Sequence, residues 1–174
     1  MYIADRYWNN YIGDTDDSMT LVEYLADKHK EEISLGEIFS DTGLDKLNGD
    51  FHQHEEPLTV VLANRKSDYD KPEVEFYYVI DLIADLAALL LECRVNGSVN
   101  LCELSGEDLD TPVPDIRITA TLEEHELMKE VLADFASAPL AYDLAEMCPE
   151  EDMLEMAELC GELRNELYGG TAEE

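Results

Sequence analysis

Positive charge is what this chain has least of. Its 174 residues hold 11 Lys and Arg against 42 Asp and Glu, a formal charge of −31. A small domain stays soluble with a magnitude of about 2 to 8, so solubility does not account for the excess. With so few cations the chain cannot line a phosphate-tracking groove, which excludes direct nucleic-acid binding. Anionic bilayer surfaces repel it for the same reason.

Other absences narrow the class further. The longest apolar stretch, residues 76–91, contains Asp81 and Asp85 and is too short and too charged to span a bilayer. The opening Met1-Tyr2-Ile3-Ala4-Asp5-Arg6 lacks a basic region followed by an apolar block, so no secretory leader is expected and a cytoplasmic setting is. Cys93, Cys102, Cys148 and Cys160 show no CxxC spacing and read as free thiols of a reducing compartment. There is no GxSxG and no glycine-rich phosphate loop, which leaves nucleophilic catalysis without a footing. An acid–base carboxylate pair is compatible with any chain holding 42 acids. However, the net charge repels phosphorylated substrates, and the reading is of a non-enzyme without a cofactor.

Two partial motifs fail on inspection. Asp14-Thr15-Asp16-Asp17-Ser18 opens like a calcium loop, but its sixth and twelfth positions hold Met19 and Leu25 where Gly and Glu are needed. An Asp-x-Asp phosphatase loop must follow a buried strand, and Trp8-Asn9-Asn10-Tyr11 makes a poor one. Asp17 or Ser18 as a helix cap explains the stretch better. His52 and His54 fall on one side of an extended segment, but spacing supplies no third ligand, and no metal site is predicted. His29 and His125 occupy polar helix positions and read as surface residues.

What the chain does have is enough apolar content, 45%, for a real core; acidic disordered tails lack it. Periodicity predicts helices over 20–29, with Leu21, Val22, Tyr24 and Leu25 inward, and over 35–42, capped by Ser34 and closed by Gly43. Residues 58–63 read as a strand between loops at 48–57 and 64–72. Residues 75–95 form a helix apolar almost all round, hence buried, although 74–79 also fit a strand. Asn96-Gly97 ends it as a C-cap or a hairpin turn. Residues 99–104 suggest a short strand, 105–114 an acidic loop, and 115–121 a half-buried strand. Thr121 and Glu124 form a capping box for a helix to Ala136, broken by Pro139. A short helix over 140–147 and a long one over 150–168, closed by Gly169-Gly170, complete the chain. The predicted fold is α+β, a predominantly helical single domain with a small antiparallel sheet. It spans 1–170, with 1–63 as a possible lobe, 64–72 as the best boundary candidate and 171–174 as a disordered tail.

The carboxylates are ordered along two helices. Glu151, Glu155, Glu158, Glu162 and Glu166 share one face of the last helix, opposite a stripe of Met153, Met156, Ala157, Cys160, Leu163 and Leu167. Glu123, Glu126, Glu130 and Asp134 repeat the pattern one helix earlier, with Leu127, Val131, Leu132 and Phe135 facing in. Like charges so spaced destabilise a helix by roughly 0.2–0.5 kcal/mol per pair, and only Lys129 and Arg164 stand nearby. From Gly97 onward there are 21 acids and 3 cations, against 21 and 8 before it. A solvated face explains any single stripe, and adaptation to high salt also produces acidic surfaces. The total of −31 tips the balance toward binding a basic protein. Tyr2, Tyr7, Trp8 and Tyr11 fit either a contact patch or an arm packed over the core.

The opening from Met1 through Tyr7-Trp8-Asn9-Asn10-Tyr11-Ile12-Gly13 to Asp14 resembles small acidic proteins carried on bacterial mobile elements, a likeness that implies a setting rather than an activity. In size and charge the chain is also similar to DNA-mimic antirestriction and anti-CRISPR inhibitors. That likeness is compositional and transfers no residue's role. The function expected from sequence is therefore a non-catalytic inhibitor that occupies the basic channel of a bacterial defence nuclease, with the two glutamate stripes as its contact surface. The alternatives are an immunity protein that neutralises a basic toxin, an acidic adaptor, and a metal-dependent enzyme.

Overall fold

One helix organises the molecule. In this computed structural model, which describes residues 2–8, 11–47, 51, 58–62, 73–105 and 114–169, α3 (Val79–Asn96) is buried at every position from Val79 to Glu92. A helix apolar on all sides gains nothing from solvent and is stable only when neighbours surround it. Here α1 (Asp16–Lys28), α5 (Leu122–Ser137), α6 (Glu150–Tyr168), the 3-10 turn Ile3–Asp5 and β4 (Arg117–Thr119) all pack on it. The buried apolar residues from Ile3 to Leu167 form one contiguous cluster.

Local chemistry sets the helix ends. Thr15 caps α1 by accepting from Ser18 N, and Asp17 and Ser18 point into the protein instead. The helix therefore begins four residues before the predicted start at Thr20. Ser34 caps α2 (Leu35–Thr42) and Gly43, at φ +86°, closes it. Gly97, at φ +87°, ends α3 as a C-cap, its N–H reaching Cys93 O at 2.8 Å. The Thr121/Glu124 capping box opens α5, with both reciprocal bonds present. Gly169 follows α6 in the right-handed region, and the second residue of the predicted glycine stop, Gly170, lies outside the described residues.

Two small sheets complete the α+β fold. β2 (Leu58–Val61) pairs antiparallel with β3 (Glu73–Phe76), which settles the ambiguous start of the central segment as strand. β1 (Glu32–Ser34) pairs parallel with β4, placing Ile33 beside Ile118. Sequence gave no sign of β1, because three residues with one inward side chain are too few for a period. The strand predicted over 99–104 is instead a single bridge, Val99 to Ile116, followed by α4 (Leu101–Ser105). Asn100 supplies the reason: its side chain accepts from Glu103 N and starts a helical turn. The helix predicted over 140–147 is two 3-10 turns, Pro139–Ala141 and Asp143–Glu146, each too short to satisfy an α-helical ladder. The predicted loops at 48–57, 64–72 and 105–114, apart from Phe51, Ser105 and Pro114, lie outside the described residues, as does the predicted tail 171–174.

The N-terminal aromatics form an arm over the core. Tyr7 and Trp8 are buried, and the Trp8 indole N–H donates to Leu104 O at 3.3 Å. Gly13 lets the chain pass the indole. It sits at φ +78°, and a Cβ there would lie 2.3 Å from the Trp8 ring. Gly13→Ala combines backbone strain with a ring clash and is expected to cost roughly 2–4 kcal/mol. Urea unfolding would read this as a lowered midpoint with Trp8 fluorescence as probe. An unchanged midpoint would mean that the arm does not pack as described.

Candidate functional site

The acidic faces follow from the core faces opposite them. On α5, Met128, Val131, Leu132 and Phe135 are buried, which turns Glu123, Glu126, Glu130 and Asp134 to solvent; all four are exposed. Leu127 is only partly buried. Asp134 accepts from Tyr142 Oη at 2.6 Å; the three glutamates make no hydrogen bond or ion pair to the described residues.

The second band borders the first across a helix seam. α5 and α6 run antiparallel: His125 meets Tyr168, Lys129 meets Arg164, and Ala136 meets Gly161. Arg164 Nε donates to the Lys129 backbone carbonyl at 3.1 Å, so the Arg164 guanidinium lies in the seam between the bands. His125 is half-buried, with Nδ1 3.0 Å from Tyr168 Oη and the rings edge to face. It is a packing residue of this seam, not the free surface histidine predicted. The six inward residues of α6 are all buried as predicted.

The N-terminal arm covers the other flank of α6 and engages part of its band. Glu166 is half-buried and accepts from Tyr2 Oη at 2.5 Å, Tyr7 Oη at 2.6 Å and Arg6 Nη1 at 3.0 Å. Burial opposes its ionisation, but these donors outweigh burial and hold its carboxyl below the usual range. Glu155 accepts from Tyr11 Oη, a bond that pushes the Tyr11 phenol up to about 12. Glu151, Glu158 and Glu162 are exposed and make no hydrogen bond or ion pair to the described residues. The α6 band thus divides into an open part and a part tied to the arm.

A third group of carboxylates is internal. Asp17, Asp81, Asp85 and Glu92 are at most 3% exposed. Asp17 accepts from Tyr77 N at 2.8 Å and Tyr78 N at 2.9 Å, joining α1 to the start of α3. Asp85 accepts from Gly13 N at 3.0 Å and Ser18 Oγ at 2.7 Å, and Glu92 from Ile3 N at 3.0 Å. All three replace water for backbone donors that the fold would otherwise bury unpaired. Asp81 differs, because its Oδ1 is buried with no hydrogen-bond partner. Burial, with the charges of Asp85, Asp17 and Asp143, pushes its carboxyl up to about 8; burial pushes Asp85 up to about 7 against its two donors. The readable signal was two acids at i, i+4 inside a segment apolar on all other sides.

Among the described residues no group of three or more His, Cys, Asp and Glu is gathered to hold a metal; His52 and His54 lie outside them. None of the four cysteines is in a disulfide. No helix among the described residues is long and apolar enough to cross a membrane. A family model described as Immunity protein 68 matches residues 2–167 of the chain. No curated protein and no solved structure matches it.

Proposed function

The chain belongs to the immunity protein 68 family, and from that membership we propose that it is a non-catalytic inhibitor that neutralises a toxin by binding it directly. The family match over residues 2–167 carries the reading. It favours a toxin over a defence nuclease as the target, so the alternative named from sequence becomes the principal function. The electrostatic mechanism carries over. A formal charge of −31 selects a partner with a strongly basic surface and speeds the encounter. The contact surface we assign is the α5 band, Glu123, Glu126, Glu130 and Asp134, with the open part of α6, Glu151, Glu158 and Glu162. Glu155 and Glu166 serve the same face while anchoring the arm. Each band offers about one carboxylate per 5.4 Å turn, against one phosphate per 3.4 Å of a DNA strand. That similarity favours a toxin whose basic surface normally holds nucleic acid.

Affinity capture from the source cells at low ionic strength, followed by co-expression of what binds, tests the proposal. The expected result is a Lys/Arg-rich protein that stops growth alone and is silenced by this chain. Recovery of acidic or neutral partners only, or of a basic partner whose toxicity the chain leaves untouched, would defeat it.

A further inference from the structure

The buried carboxylate that nothing pairs opens into a cavity. Asp81 lines a space of about 320 Å³ between the α1 N-terminal loop, α3 and α6. Asp14, exposed, and Asp152, half-buried, also line it and stand nearer solvent. Leu144, Met153 and Met156 form apolar wall. No lysine, arginine or histidine lines it. Asp81 is 3% exposed, and its Oδ1 has no hydrogen-bond partner. An unpaired buried acceptor costs about 1–3 kcal/mol, more if charged, and a fold retains one where a ligand will satisfy it or where it is held neutral.

We propose that this cavity receives one lysine or arginine side chain of the protein partner, its cationic head toward the Asp81 carboxyl group and its methylenes along Leu144, Met153 and Met156. The assignment rests on the toxin-neutralising reading and adds to it an anchor beside the acidic face of α6. Three observations select this occupant. Charge complementarity is one-sided: the Asp14 and Asp152 carboxylates line the cavity beside the Asp81 acid, which an entering cation would ionise, and no cation lines it. The apolar wall suits an aliphatic stem, since Lys and Arg bury their methylenes against apolar surface. A hard metal ion would need six or more oxygen ligands, and the described residues gather no such shell. A charged side chain fully desolvated in a central pocket is the kind of contact that carries much of an interface's energy.

The free protein, with n-butylammonium and n-butylguanidinium chloride as probes at constant ionic strength, decides whether the pocket exists. Met153 and Met156 methyl resonances are expected to shift saturably with at least one probe, and Asp81→Asn to weaken that binding at least tenfold. Asn stands in for the neutral acid, so D81N should melt at pH 8 no lower than the parent. That comparison separates loss of the pocket from loss of the fold. No saturable shift, equal binding by D81N, or the same shift with tetramethylammonium would overturn the proposal. With the captured toxin, D81N should dissociate at least tenfold faster while associating at the parental rate. An unchanged dissociation rate despite probe binding would make this a free-amine site and overturn the partner assignment. Failure to capture any toxin would defeat the functional reading, while the probe experiment would still decide the pocket.

Discussion

Lowering the pH from 8.5 to about 5 is expected to make this protein more stable, by on the order of 6 kcal/mol. The sign comes from α3. Asp81 and Asp85 carry folded-state values of about 8 and about 7, against an ordinary 3.8. Between those limits the folded chain holds protons that the unfolded chain has released. The stability these groups contribute is complete below about pH 4 and is lost as pH rises through 7 and 8. Relief of self-repulsion among the remaining carboxylates acts in the same direction. Glu37, Asp41 and Glu166 oppose it. Lysine contacts lower Glu37 and, against burial, Asp41; the arm lowers Glu166. Their contribution is lost only as pH falls through those depressed values, so the optimum lies between about pH 4 and 6. Thermal melts across pH 4–9 check this, and D81N should flatten the slope. A melting temperature that falls steadily from pH 8 to 5 would show that these acids are not buried as described.

Charge reversal on α5 should have the largest effect on binding. The triple change Glu123→Lys, Glu126→Lys, Glu130→Lys replaces three exposed charges that have no described partner to lose. Stability should hold, because lysine favours a helix as glutamate does and the like-charge spacing remains. Affinity for the toxin should fall about hundredfold, roughly 2.7 kcal/mol, mostly through slower association. Reversing exposed Asp45, Glu73 and Glu75, none of them on α5 or α6, changes net charge equally and should cost much less. Equal losses from both triples would mean that total charge, not the α5 face, drives binding.

The elements legible in sequence were those whose signal is local. The Ser34 and Thr121 caps, the inward stripe of α6 and the all-round apolar α3 each follow from residues within one turn of each other, and each stands where expected. What escaped depended on distant partners. Thr15 rather than Ser18 caps α1 because Ser18 is drawn to Asp85, 67 positions away. β1 exists only because Arg117–Thr119 arrives beside it. Helical periodicity put Glu155 and Glu166 on the face away from the core, but no pattern in α6 could show that Tyr11, Tyr2 and Tyr7 would reach across to them and leave Glu166 half-buried. The acidic bands were thus readable as faces, and the arm and the Asp81 cavity were not.

Stopped-flow association of the toxin with the parent protein, from 50 to 500 mM salt, tests the central claim most directly. If the acidic faces steer the encounter, the association rate constant should drop at least tenfold over that range while dissociation changes little. An association rate indifferent to salt would contradict it, leaving the charge a property of the surface and not of recognition.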